Sequence, residues 1–460
     1  MLNDWTKIQL MQKEAVKEDP KKSITQGKEQ LSIMRRMLTV HQDEWLAALR
    51  QDLGKCQFEG YATELAVLLN EIDYLEKKMD SFLRTRKSSR WKFNSITNKT
   101  IVRRPYGSVL VISPWNYPLQ LSLMPVIGAI TCGNRCFLKP SEHAPATAAL
   151  LGRLVPEYFS EDWIVVVNGD ASVSKALLEL DWDFIFFTGS ETVGRSVYME
   201  AAKYQTPVVL ELGGKNPCII DQSGFTDDAI WKIVWGKFLN AGQTCVAPDT
   251  LFVNEAIYPD VLKKIKDTIE LFYGGNPIES SDYGRIIHEN HLNRLNEYLK
   301  DGEVYFGGGI DIGERYFSPT VLTKIRKDTP VLRDEIFGPI LPVVPYGNLN
   351  KLLDELRDFD PLAAYIFSRD KDTIEEVSKR TKTRAIGVNE VILHVADPRI
   401  AFGGIGSSGL GSYHGKASIE TFTYEQLIYE SHDFFRLNQQ FPPYDPKHFS
   451  LLQKLRRWLI

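Results

Sequence analysis

What the sequence lacks narrows its function first. It has no run of about 18 apolar residues, so no membrane-crossing helix is predicted. Its N-terminus carries no apolar leader-like core, which predicts a cytoplasmic location. Cysteine is scarce: Cys56, Cys132, Cys136, Cys218 and Cys245 are odd in number and scattered, which fits a reduced compartment and not a disulfide framework. Cys132 and Cys136 have no second Cys/His pair at zinc spacing, so no metal site is predicted. Neither charge sign dominates. With 55 Lys+Arg against 59 Asp+Glu and a net charge of −4, the chain lacks the basic field that nucleic-acid binding requires. No internal repeat or low-complexity linker is visible.

What is there is ordinary soluble material. At 460 residues, 43% hydrophobic and 25% charged, the chain has room for two or three domains with large cores. Residues 1–80 are charged and helical in rhythm, with apolar residues at three- and four-residue steps from Ile24 to Leu53 and from Tyr61 to Met79. Between Ser81 and Arg104, eight basic residues (Arg84, Arg86, Lys87, Arg90, Lys92, Lys99, Arg103, Arg104) crowd together. A solvated hairpin or intersubunit arm is preferred there over a polyanion patch.

An α/β rhythm follows. Val109–Ile112, Cys136–Lys139, Trp163–Val167, Phe184–Phe187 and Val208–Leu210 read as buried strands, with helices at Leu119–Thr131 and Pro145–Phe159. A second series begins near Pro217, with strands at Ile219–Ile220, Leu251–Val253, Leu341–Val344, Ala364–Ser368 and Ala385–Asn389. Helices are expected at Ala256–Tyr273 and Asn290–Asp301, and turns from Gly302 to Gly313. Apolar strands alternating with helices imply doubly wound parallel sheets.

Three stretches carry chemistry. Asn240-Ala241-Gly242-Gln243-Thr244-Cys245 places a thiol among small residues after an amphipathic run, Ile230 to Leu239. A thiol is a nucleophile when accessible and partly ionised; a buried structural cysteine is the plain alternative. Glu211-Leu212-Gly213-Gly214-Lys215 offers a base directly after an apolar strand, and Ser113-Pro114-Trp115-Asn116-Tyr117-Pro118 offers an oxyanion donor. For a phosphate-bearing cofactor, Phe187-Thr188-Gly189-Ser190-Glu191 reads as a strand running into a helix N-terminus. Two look-alikes are set aside. Gly404-Ile405-Gly406-Ser407-Ser408-Gly409 matches the dinucleotide glycine pattern but lacks the strand–turn–helix context, and Gly415-Lys416 lacks the rest of a phosphate loop.

Taken with Lys139-Pro140-Ser141-Glu142, Glu335-Ile336-Phe337-Gly338-Pro339 and Ser412-Tyr413-His414-Gly415-Lys416, these motifs resemble the aldehyde dehydrogenase family, nearest its class 3 branch, in family order over most of the chain. The resemblance implies a variant Rossmann cofactor domain (1–80 and 105–210), an α/β catalytic domain (211–410), a small β oligomerisation arm (81–104 and 411–430) and a tail (431–460). It implies NAD(P)-dependent oxidation of medium- or long-chain or aromatic aldehydes, by a homodimer. Cys245 would be the nucleophile, Asn116 the oxyanion donor and Glu211 the deacylation base. Trp115, Lys139, Glu142, Gly189, Ser190, Val193, Gly194, Glu335 and Phe337 would hold NAD, with NADP as an alternative. Tyr61, Tyr117, Phe402 and His414 would meet the substrate. Competing readings are a CoA-acylating relative, a cysteine hydrolase using His414, and a structural protein on the same fold. The tail from Phe449 to Ile460 reads as a basic amphipathic helix, with docking on protein favoured over peripheral membrane contact.

Overall fold

The computed structural model describes residues 2–87, 97–431 and 441–459. Its first sheet runs in the order Gly409–Leu410, Val208–Glu211, Phe184–Thr188, Ser108–Ile112, Arg135–Lys139, Ile164–Val166. The last five strands are parallel. Numbered along the chain, those five stand in the order 5-4-1-2-3, so the direction of winding reverses between Ser108–Ile112 and Phe184–Thr188. A ligand crevice is expected beyond the carboxyl ends of these two strands. Strands Ser108–Ile112 and Arg135–Lys139 are buried at every position, as sheets covered on both faces require. One cover is the helix Gln120–Thr131, apolar all round and buried from Leu121 onward.

The second sheet is ordered Glu303–Phe306, Thr320–Thr323, Ile340–Tyr346, Thr250–Asn254, Pro217–Ile220, Ala364–Phe367, Ile386–Val388. Only its first strand is antiparallel to its neighbour. The fold is therefore α/β with two mainly parallel sheets. The expected turn region 302–313 contains two strands, Glu303–Phe306 and Ile310–Asp311. Gly307 and Gly308, both at positive φ, make the turn between the two strands, and the β-forming run Val304-Tyr305-Phe306 just before it supplies the first strand. Gly409–Leu410 lies within the span assigned to the second unit, yet pairs antiparallel with Val208–Glu211 in the first sheet.

The N-terminal helices Leu2–Glu18, Pro20–Val40, Gln42–Leu53 and Ala66–Leu83 pack on the first unit. Pro20 opens the second of them, with Asp19 as its cap, and the rhythm breaks at His41. Before Ala66 the chain makes one π-helical turn, Tyr61–Leu65. The basic segment does form a hairpin: Arg86–Lys87 pairs with Thr97–Pro105, which pairs in turn with Thr423–Ser431. Arg90 and Lys92 lie outside the described residues. A helix spans Pro446–Leu459, but most side chains that would define its apolar face also lie outside them. No described helix is long and apolar enough to cross a membrane.

Candidate active site

The chain leaves the strand Ser108–Ile112 into a turn that carries Trp115, Asn116 and Tyr117. Leaving Phe184–Thr188, it passes through Gly189 and Ser190 into the helix Glu191–Ala202, whose first turn Ser190 caps by accepting from the Val193 N–H at 3.4 Å. These two exits face each other across a cavity of about 310 Å³. Glu211, at the end of its strand and 2% exposed, points into it, and neither carboxylate oxygen has a hydrogen-bond partner. Burial therefore raises its pKa well above the usual carboxylate range, against a weak pull from Arg384.

Cys245 follows three residues in the left-handed region: Asn240 (φ +52), Ala241 (φ +51) and Gly242 (φ +72). A Cβ on Gly242 would stand 2.3 Å from the Gly338 carbonyl oxygen, so glycine is required there. The loop is held by side chains. Gln243 donates to the Asn240 and Arg285 carbonyls and accepts from Ile287 N–H, and Asn216 donates to the Cys245 carbonyl at 2.7 Å. Asn116 Nδ2 donates to the Gln243 carbonyl at 3.1 Å, leaving its second N–H for the cavity wall on which Cys245 also stands. Burial, reinforced by Glu335 and Glu211, pushes the Cys245 thiol up to about 12.

A second cavity, about 180 Å³, opens on the other side of Cys245. Its wall is apolar, with Val67, Trp235, Leu239, Val246 and Ile392 among its residues. Leu121, Cys245, Phe402 and Tyr413 belong to both cavities. Tyr117 lines the second one and shares a 2.6 Å hydrogen bond with Thr244 Oγ1. His414 also lines it, with φ +76 and an unpartnered Nε2; burial and the neighbouring His394 depress its pKa to about 4.

Not every expected residue arrives. Tyr61 is 41% exposed and lines neither cavity; the wide π turn shifts the helical register, so that Ala62, Thr63 and Val67 face the second cavity in its place. Gly189, Ser190, Trp115, Glu335 and Phe337 line the first cavity. Val193 and Gly194 stand one turn further on, Val193 half-exposed and Gly194 packed where a Cβ would meet Leu212 at 2.5 Å. Lys139 and Glu142 lie outside both linings, paired at 2.7 Å beyond the end of Arg135–Lys139.

The sequence reading missed His291 and Arg294, both in the first cavity's wall. They lie three apart on the helix Glu289–Tyr298. Arg294 donates to the Glu335 and Ile336 carbonyls, and His291 Nε2 to the Phe337 carbonyl at 2.8 Å. From the other side Asp249 accepts the Ile336 N–H, and Gly214 N–H donates to Glu335 Oε1 at 3.1 Å. Their i,i+3 spacing was the only available signal, because their partners are backbone carbonyls. No group of His, Cys, Asp and Glu among the described residues is arranged to hold a metal.

A parallel sheet wound about a reversal point gathers a thiol, two carboxylates and an amide at one cavity, a set suited to covalent thiol chemistry. The sequence pattern of the aldehyde dehydrogenase family matches residues 6–428, and the chain belongs to that family. It is 50% identical over 405 residues to a 4,4'-diapolycopene-4,4'-dial dehydrogenase of Cytobacillus firmus, covering 88% of this chain and 89% of that one. It is 39% identical to aldehyde dehydrogenase family 3 member A2 of Mus musculus, covering 86% and 82%. The solved substrate-bound state of Staphylococcus aureus AldH superposes with a TM-score of 0.91 at 37% identity, over 94% of this chain and 95% of that one. The chain is an enzyme that acts on aldehydes.

Proposed function

We propose that this enzyme oxidises extended apolar aldehydes, medium- or long-chain or aromatic, to carboxylic acids with NAD, NADP being the alternative cofactor. One observation carries the reading: Cys245 stands on the wall shared by a cavity holding the carboxylates Glu211 and Glu335 and an apolar cavity without a carboxylate. The residues fit a dinucleotide. Gly189 and Ser190 open a helix N-terminus suited to phosphate, Thr188 Oγ1 is buried without a partner, and Glu335 is aligned by Gly214 to accept from hydroxyls. Lys139 and Glu142 would serve a ribose, and Trp115 and Phe337, edge to face at 5.4 Å, would pack on the ring. A bound nicotinamide supplies hydride acceptance.

The chain's own residues do the rest. The Cys245 thiol gives up its proton to solvent water, and its sulfur attacks the carbonyl carbon. The carbonyl π electrons move to oxygen, and that charge is held by the free Asn116 N–H and the Cys245 backbone N–H, a contribution worth about 3–4 kcal/mol per donor. As the oxygen's electron pair returns to re-form C=O, the C–H bond breaks and its hydrogen leaves as hydride, which a bound nicotinamide would accept, so that the carbon is left as a thioester on Cys245. Glu211, made more basic by burial, takes a proton in its ionised form from water as the water oxygen attacks that thioester. Collapse expels the thiolate and releases the acid. The apolar second cavity accounts for the aldehyde's tail, in keeping with the polyene dialdehyde named for the Cytobacillus relative.

Five free cysteines support a reducing, cytoplasmic setting. The exposed apolar residues Tyr424, Leu427 and Tyr429 on the arm strand support a homodimer. The two sheets support a cofactor unit (1–80 and 105–210) and a catalytic unit (211–410), with Gly409–Leu410 reaching back to the first. The test is NADH absorbance with purified protein over an aldehyde panel, with and without CoA. NADH formation without CoA, favouring decanal or benzaldehyde over acetaldehyde, is expected. A strict CoA requirement, or no NADH with any aldehyde, would overturn the reading.

A further inference from the structure

Beneath the Asn116 turn lies an ion pair with no solvent exposure on either side chain: Lys55 Nζ and Glu64 Oε1, 2.6 Å apart. Neither belongs to a motif and neither lines a cavity. A buried pair seldom adds to stability over apolar residues of the same volume, so its presence under the site asks for another reason.

All three Lys55 N–H directions have acceptors: Glu64 Oε1, the Asn116 carbonyl at 3.2 Å, and the face of the Tyr117 ring, 3.9 Å from its centroid. The other Glu64 oxygen accepts from the Leu119 N–H at 2.9 Å and the Gln120 N–H at 3.1 Å. The pair therefore spans the turn, holding its start through Lys55 and its end through Glu64. Glu64 reaches this place from the π-helical turn Tyr61–Leu65, a costly local geometry that tends to mark function. The clamped turn is also tied to the cysteine loop, by Asn116 Nδ2 to the Gln243 carbonyl and by Asn240 Nδ2, which donates to the Asn116 carbonyl at 2.7 Å. Glu59, from the same N-terminal segment, accepts the Asn240 N–H at 3.0 Å.

We propose that the buried Lys55–Glu64 pair is a positioning device that sets the Asn116 amide against the Cys245 loop during acylation. It rests on the reading that Asn116 holds the oxyanion. Lys55 and Glu64 line neither cavity, so their effect reaches the reaction through the turn they hold; Tyr117 and Gln120 of that turn line the second cavity, and removing Asn116 separates its share from theirs. Small displacements of a charge-stabilising donor are costly to rate even when binding is unchanged.

The test is a mutant cycle read by the single-turnover NADH burst. The double variant Lys55→Met/Glu64→Gln removes both charges together, so no unpaired ion remains, and the glutamine amide introduced by Glu64→Gln keeps an oxygen for the Leu119 and Gln120 N–H groups. Expected are a melting temperature and an NAD Kd close to wild type, with the burst slowed about tenfold or more. In an Asn116→Ala background, the same pair of changes should slow the burst less than about twofold, since the group they position is gone. A burst near wild type in the double variant overturns the proposal. So does an equal slowing with and without Asn116, or a slowing matched by lost NAD affinity and melting temperature. If Asn116→Ala alone leaves the burst intact, the oxyanion reading itself falls and this proposal with it.

Discussion

On one side of Cys245 the wall mixes two carboxylates with apolar residues, and hydrogen bonds between side chains and backbone fix its Glu335 loop. Glu335 is held by the Gly214 N–H, and the carbonyls of residues 335–337 by Arg294 and His291. On the other side the wall is apolar and its residues are fixed by packing, with Trp235, Leu239 and Ile392 part of or packed against the main core. The difference teaches where precision is needed. The loop that would grip a cofactor must be set closely, which directional hydrogen bonds achieve, while Glu211, with no hydrogen-bond partner, is left open to meet water; an aldehyde's tail needs only excluded water and a suitable bore.

The largest blow to this picture is Cys245→Ala. It removes the reacting thiol from the wall the two cavities share, and turnover should fall by more than about a thousandfold while titrated NAD binding persists. Cys56, Cys132, Cys136 and Cys218 should tolerate Ala with activity kept apart from packing losses.

Glu211→Gln strikes the carboxylate side alone. Steady turnover should fall about a hundredfold, with the NADH burst retained and an acyl-enzyme visible by mass spectrometry. Loss of the burst would mean that Glu211 acts earlier than deacylation.

Val67→Phe strikes the apolar side alone. It should lower kcat/KM for decanal about tenfold, acetaldehyde much less, and leave the NAD KM unchanged. Equal losses for both aldehydes would mean that the second cavity does not hold the tail.

The smallest effect sharpens the electrostatics. Burial raises the Glu335 pKa to about 7, so above that pH it is anionic and opposes thiolate formation at Cys245. Glu335→Gln should therefore speed iodoacetamide labelling of Cys245 at pH 8 by about twofold to tenfold, and change it little at pH 6. A slower reaction at pH 8 would reverse the sign of that coupling.

The same contrast decides what was legible beforehand. Glu211, Gly189 and Ser190 lie in short local patterns, where a strand ends and a helix begins, and periodicity alone locates such ends. The second cavity draws on Thr63, Trp235, Ile392 and His414, which no window along the chain brings together. Tyr61, expected at the substrate from the family resemblance alone, sits 41% exposed at the start of a π turn that no pattern along the chain announces. Lys55 and Glu64 read as surface charges in a charged helical segment; only tertiary packing shows them fully buried.

The short strand Gly409–Leu410 has one more consequence. It pairs with Glu211 and Leu210, and Leu212 N–H donates to the Ser408 carbonyl, so the edge of the strand carrying Glu211 is closed by chain made about 200 residues later. During synthesis that edge stays open until the chain has been made past Leu410. Until then the polypeptide carries an unpaired strand beside a buried acid, and the order of manufacture withholds a finished reaction centre from every shorter nascent chain.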